Sequence, residues 1–161
     1  MAKICADYMQ AEELRKHGFC DDTADMFCTE DGGASNFPIC SADGEEHYKR
    51  TWSLGALLNM LPVSIEDKHE RCTWLLFLTK NKIEYVRDTD LDVAKISAHG
   101  DLVDAAVHIL CRLSEWAKKD TANKMRALAW RKIESAHELA DPLWHESALR
   151  LIDKADEIEN G

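Results

Sequence analysis

Apolar positions along the chain change period several times, and each change marks an element. Tyr8, Met9, Ala11 and Leu14 recur at helical spacing and Gly18 supplies a stop, which predicts a short helix over 8–17. Asp22 or Thr23 stands where it can cap a second short helix through Ala24, Met26, Phe27 and Cys28. Asp31-Gly32-Gly33-Ala34-Ser35-Asn36 has the composition of a loop. Phe37-Pro38-Ile39-Cys40 and residues 47–52 flank an Asp43-Gly44 turn and predict a hairpin, with Pro38 confining its first arm to a sheet edge. Ser53 then caps a helix through Leu54, Ala56, Leu57, Leu58 and Leu61, closed by Pro62.

The run Cys72-Thr73-Trp74-Leu75-Leu76-Phe77-Leu78-Thr79 is almost continuously apolar, which predicts a central strand covered on both faces. A turn at Lys80-Asn81-Lys82 leads into the alternating segment 83–87, and a further short strand is expected in 93–98. Gly100-Asp101 opens a long helix with Leu102, Val103, Ala106, Val107, Leu110, Leu113 and Trp116 on one face. Thr121 is placed to cap a following helix over 122–139, with Met125, Leu128, Ala129, Ile133 and Ala136 as its apolar side. Asp141-Pro142 starts a last helix, 142–159, burying Leu143, Trp144, Ala148, Leu151, Ile152, Ala155 and Ile158. The sum is an α+β fold: a small antiparallel sheet packed on one long helix, short N-terminal helices and a C-terminal αα-hairpin. An α+β body at 1–120 and a helical tail at 121–161 are expected to form one compact domain.

Residues 51–62, Thr51-Trp52-Ser53-Leu54-Gly55-Ala56-Leu57-Leu58-Asn59-Met60-Leu61-Pro62, match the pattern W-S-L-x-A-L-L-x-x-L-P. That segment, with the hairpin and the helix 102–113 after it, resembles small uncharacterised proteins of bacteriophages and prophage-like elements of gut bacteria. The resemblance spans roughly 51–116 and is carried by core and capping residues. It implies a fold and a genomic setting, in which accessory proteins of this size bind and inhibit host proteins, anti-CRISPR proteins among them. A bacterial, cytoplasmic location follows from the same resemblance.

Composition narrows the class. At 161 residues and 45% hydrophobic, the chain can build its own core. No apolar run approaches the roughly 18 residues of a membrane span, and the opening Met1-Ala2-Lys3-Ile4-Cys5 has no secretory h-region. The six cysteines therefore read as free thiols rather than a disulfide framework. Net charge is −10 and is segregated. Residues 1–46 carry 11 Asp/Glu against 3 Lys/Arg, residues 47–132 carry 11 against 15, and residues 133–161 carry 8 against 2. Direct nucleic-acid binding is disfavoured by this balance, and a membrane partner is not expected. A host protein with a basic surface is the expected partner, met by Glu12, Glu13, Asp21, Asp22, Asp25 and Glu30 at one end and Asp153, Asp156, Glu157 and Glu159 at the other.

Catalytic chemistry is thinly represented. Cys20, Cys28, Cys40 and His47 lack the closely paired spacing of a zinc site, so neither a metal nor another cofactor is expected. Carboxylate–histidine pairs occur at Asp104/His108, Glu134/His137 and Asp141/His145, but one Glu-x-x-His motif falls short of a di-iron set. Arg131 with His137 resembles the Arg/His pair of HEPN-type nucleases. The alternative to a non-enzymatic binding protein is thus a metal- or histidine-dependent hydrolase or nuclease built on Arg131, Glu134, His137 and His145. Trp52, Trp130 and Trp144 are candidates for partial exposure, against the favoured alternative that they pack the helical tail onto the body. The tail also carries more apolar surface than one docking covers, and a homodimer is the expected way to close it, against a monomer packed on itself.

Overall fold

The computed structural model describes residues 3–36, 48–68, 70–139 and 142–160, with the side chains of 134–139 and 142–145 left out. The chain divides into two compact units, Met1–Arg112 and Leu113–Gly161. The architecture is α+β, with antiparallel sheets, one long helix and a C-terminal helix packed against it.

Helix α1 spans Tyr8–Lys16. Asp7 opens it through a capping box, accepting from the Gln10 N–H while the Gln10 side chain accepts from the Asp7 N–H. At the other end the Gly18 N–H donates to Arg15 O and the Phe19 N–H to Leu14 O, a Schellman closure that needs the left-handed φ of 87° at Gly18.

The second N-terminal helix does not form. A three-residue 3₁₀ turn at Asp21–Thr23 leads into strand β1, Met26–Cys28. The caps are used elsewhere: the Thr23 hydroxyl donates to Cys20 O and accepts from Trp52 Nε1 (2.8 Å). Met26 and Cys28 are both buried, so alternate burial along an extended chain replaces the helical repeat. Part of the expected loop is also a strand, β2 at Ala34–Ser35, and β3 spans Lys49–Thr51. These form a three-stranded antiparallel sheet in the order β2-β1-β3. Residues 37–40 and the Asp43-Gly44 turn lie outside the described residues. Residues 4–6 run along 52–54, with Ala6 N–H donating to Trp52 O and Leu54 N–H to Ile4 O. Trp52, one of the candidates for partial exposure, is wholly buried with Thr51 and Leu57. Helix α2, Leu54–Met60, starts at Ser53, whose hydroxyl accepts from the Ala56 N–H.

A second antiparallel sheet has the order β4-β5-β6-β7, made of Ser64–Asp67, Cys72–Thr79, Lys82–Arg87 and Asp90–His99. Strand β5 is interior in the sheet, yet it is not covered on both faces. Trp74 is 2% exposed, whereas Leu75 and Phe77, sharing the opposite face, are 39% and 49% exposed. Antiparallel sheets tolerate one open face, so a continuous apolar run here does not mean burial on both sides. The covered strand is β6, with Ile83, Glu84, Tyr85 and Val86 all buried. Glu84 is neutralised by an ion pair to Lys82. The Tyr85 hydroxyl donates to Pro62 O at 2.6 Å, and burial pushes its phenol well above the usual range. Arg87 and Lys95 lie over the Trp74 ring and pair with Glu70, Lys95 also with Asp67.

The long helix α3 runs unbroken over Leu102–Leu139. Thr121 does not cap a new helix: its hydroxyl donates to Ala117 O, one turn back in the same helix, and Lys124 pairs with Asp120 across the expected break. With no Gly or Pro between 101 and 139, nothing stops propagation. Helix α4 spans Pro142–Asn160. In the second unit α4 runs antiparallel to α3, as Arg126 pairs with Asp156 and Glu159 while the Lys132 ammonium donates to Ser147 Oγ. Ala122 and Ala129 on α3, and Ala148 and Ala155 on α4, are fully buried and recur at intervals of seven.

Two outcomes follow. Trp52→Ala should lower the unfolding free energy by about 3–5 kcal/mol in a denaturant titration, as for other wholly buried aromatics. Asp104 accepts from Lys3 Nζ and Gln10 Nε2, both at 2.7 Å. Burial alone would raise the Asp104 carboxyl, but these hydrogen bonds outweigh it and hold it below its ordinary 3.8. The same contact holds the Lys3 ammonium above 10.5. The tether therefore contributes fully between those values, and is lost as pH falls through the lowered carboxyl value or rises through the raised amine value. Asp104→Asn should cost about 0.2–1 kcal/mol at neutral pH, because the pair is half-exposed. That difference should shrink in unfolding titrations below pH 3.8 and above pH 10.5.

Candidate interaction surfaces

The N-terminal carboxylates are mostly occupied within the protein. Glu12 accepts from Lys49 at 2.6 Å and Arg15 at 3.2 Å, which holds its carboxyl below the usual range. Asp21 accepts from Arg15 at 2.8 Å, while the Arg15 guanidinium also lies 5.6 Å from the Trp52 ring centre. Asp25 accepts from both the Ser53 N–H and its hydroxyl. Glu13 faces Lys16 and His17 on its own helix. Asp22 and Glu30 are exposed and make no ion pair among the described residues. Much of this acidic cluster is therefore internal bonding around α1, β3 and the start of α2.

The C-terminal carboxylates sit differently. Their order along α4 follows from helical spacing: Leu149, Asp153 and Asp156 are four and three residues apart and share a stripe. Asp156 is the residue that Arg126 reaches, at 2.6 Å, so this stripe borders the Arg126 side of α3. Trp130 lies one turn beyond Arg126 on that side and is 60% exposed, and Leu149 is 47% exposed. Asp153 and Glu157 are exposed and unpaired among the described residues. One side of the helix pair thus presents an indole and a leucine beside carboxylates.

The other side is a groove of about 420 Å³. Lys132, Arg150 and Lys154 supply three cations, Glu146 one carboxylate, and Leu128 and Leu151 the apolar part. Leu128, expected to be buried, is 48% exposed. Among the described residues of the helix pair the fully buried positions are the four alanines, and a line of contact built on small residues covers little of its larger neighbours. The repeat Ala122-x6-Ala129 and Ala148-x6-Ala155 is the sequence signal that separates seam from flank.

The residues of the alternative catalytic reading are not brought into a described site. Arg131 is exposed on α3 and engaged in an interaction, while the side chains of Glu134, His137 and His145 lie outside the described residues, as do Cys40 and His47. Asp104 is bonded to Lys3 and Gln10, leaving His108 exposed without it. Among the described residues no three His, Cys, Asp or Glu side chains gather as metal ligands. Cys5 and Cys28 line a cleft of about 500 Å³ with Lys3, Asp7 and Gly33, and burial pushes both thiols up, away from the reactive thiolate. No described helix is long and apolar enough to cross a membrane. No family model, no curated protein and no solved structure matches the chain.

The alanine seam is directly testable. Ala129→Leu should overpack it and lower hairpin stability by about 1–3 kcal/mol. Amide exchange in α4 should accelerate accordingly, with β5 and β6 unchanged.

Proposed function

We propose that this protein acts without catalysis, by binding another protein through the Trp130 side of its helical hairpin. The observation that carries it is the 60% exposure of Trp130, with Leu149 exposed on the adjoining stripe of α4. Trp is enriched among residues that dominate binding energy, because it fills a pocket with a rigid, amphipathic ring. Asp153, without an ion pair among the described residues, and the partly compensated Asp156 and Glu159 give this side an acidic border. The fitting partner has a basic surface with an apolar pocket. The resemblance of 51–116 to small phage and prophage-like proteins makes a bacterial host protein the partner class, and inhibition, as by anti-CRISPR proteins, the mode of action.

Purification of tagged protein from bacterial cells, compared with Trp130→Ala, tests this. A specific partner should be retained by the parent and its affinity should fall at least about tenfold in the variant, with unfolding unchanged. Asp153→Lys should slow association and flatten its salt dependence. Equal retention by parent and Trp130→Ala would refute the assignment.

A further inference from the structure

The two sides of the hairpin are complementary to each other. One presents Trp130 and Leu149 with Asp153 and Asp156; the other is the groove with Leu128, Leu151, Lys132, Arg150 and Lys154. In a chain of net charge −10, three cations against one carboxylate among the described lining residues make that groove a local reversal of sign. Lys154 has no ion-pair partner among the described residues, and the Arg150 partner Glu146 is a surface neighbour one turn away.

Resting on the reading of the Trp130 side as an interface, we infer that the groove of a second copy of this chain is one of its basic partners, so that copies associate head-to-tail through their hairpins. An isologous pairing would set carboxylates against carboxylates, or cations against cations, at the two-fold axis. Opposite sides attract, and both supply apolar anchors for the contact. The interface is therefore heterologous, leaving an unused Trp130 side at one end and an unused groove at the other. Association of this kind need not stop at two copies unless the rotation closes a ring. Salt weakens it, since the screening length drops from about 10 Å at 0.1 M to about 3 Å at 1 M.

Light scattering on the full chain over a micromolar concentration series tests the arrangement. The mass should rise above 18.3 kDa with concentration and fall back toward it at 1 M salt. Trp130→Ala, which keeps the groove, and Arg150→Glu/Lys154→Glu, which keeps the Trp130 side, should each stay at one chain mass. The double variant leaves the Lys132–Ser147 bond in place, and circular dichroism checks that both variants fold. Mixed together, they should form a species of two chains and no larger, because each supplies the side the other lacks. A single-chain mass for the parent at every concentration overturns the inference, as does a parent assembly that survives Trp130→Ala or a mixture that does not pair. If the parent is monomeric while a host protein still binds in a Trp130-dependent way, self-association alone fails and the proposed function stands. Trp130-independent capture removes the function as well.

Discussion

Where α3 and α4 run side by side, the fully buried positions among the described residues are alanines, the smallest side chain that still favours a helix, and the candidate interface depends on that choice. Ala122, Ala129, Ala148 and Ala155 bury themselves completely but cover little area, so the seam is narrow and its flanks are left over. Leucine at those positions would widen the separation and draw the neighbouring large residues inward. With alanine, Trp130, Leu149 and Leu128 stay outside at 60%, 47% and 48% exposure. The polar bonds that align the helices, Arg126 to Asp156 and Lys132 to Ser147, lie on opposite sides of the seam and fix which residues share a side. A hairpin held this way displays apolar groups beside charges instead of consuming them.

The first unit handles its charges in the opposite manner. Several of its carboxylates pair with its own cations, with Glu12 on Lys49 and Arg15, Asp21 on Arg15 and Asp104 on Lys3. Arg15 and Arg50 also lie over the Trp52 and Phe27 rings. These contacts tie α1, the N-terminal segment and β3 around a core of Leu14, Cys28, Thr51, Trp52 and Leu57. An acidic sequence cluster is therefore not the same thing as an acidic surface. Net charge counts residues, while recognition depends on the carboxylates left without an internal cation.

Elements bounded by strong punctuation were legible in the sequence. Gly18 ended α1, Ser53 and Pro62 framed α2, and Pro142 is the first residue of α4, because caps and breakers act through local backbone geometry. Segments whose state is set by a distant partner were not. Met26-Phe27-Cys28 has no period of its own and becomes a strand by pairing with 49–51. Thr121 carries a hydroxyl that can cap a new helix or bond back into an existing one, and the uninterrupted sequence around it favours the second. The apolar run of β5 could not reveal that Leu75 and Phe77 face an open side. In the hairpin the apolar stripe was legible, but not which members form the contact, since size and not hydrophobicity sorts seam from flank. Trp52 and Trp130 stood alike as candidates for exposure, and only the structure separates them, burying the first and exposing the second; nothing in the sequence marked Leu128 or Leu149 as exposed.

The α3–α4 hairpin keeps an indole in water while folded, with Trp130 60% exposed. Fluorine NMR of protein labelled with fluorotryptophan, in the Arg150→Glu/Lys154→Glu background to suppress self-association, measures this through the solvent isotope shift between H₂O and D₂O. The Trp130 resonance, identified by Trp130→Phe, should shift nearly as much as free fluorotryptophan, while those of Trp52 and Trp74, 0% and 2% exposed, should barely move. A Trp130 resonance as insensitive to solvent as that of Trp52 would contradict the account, because the indole would then belong to the core and not to an interface.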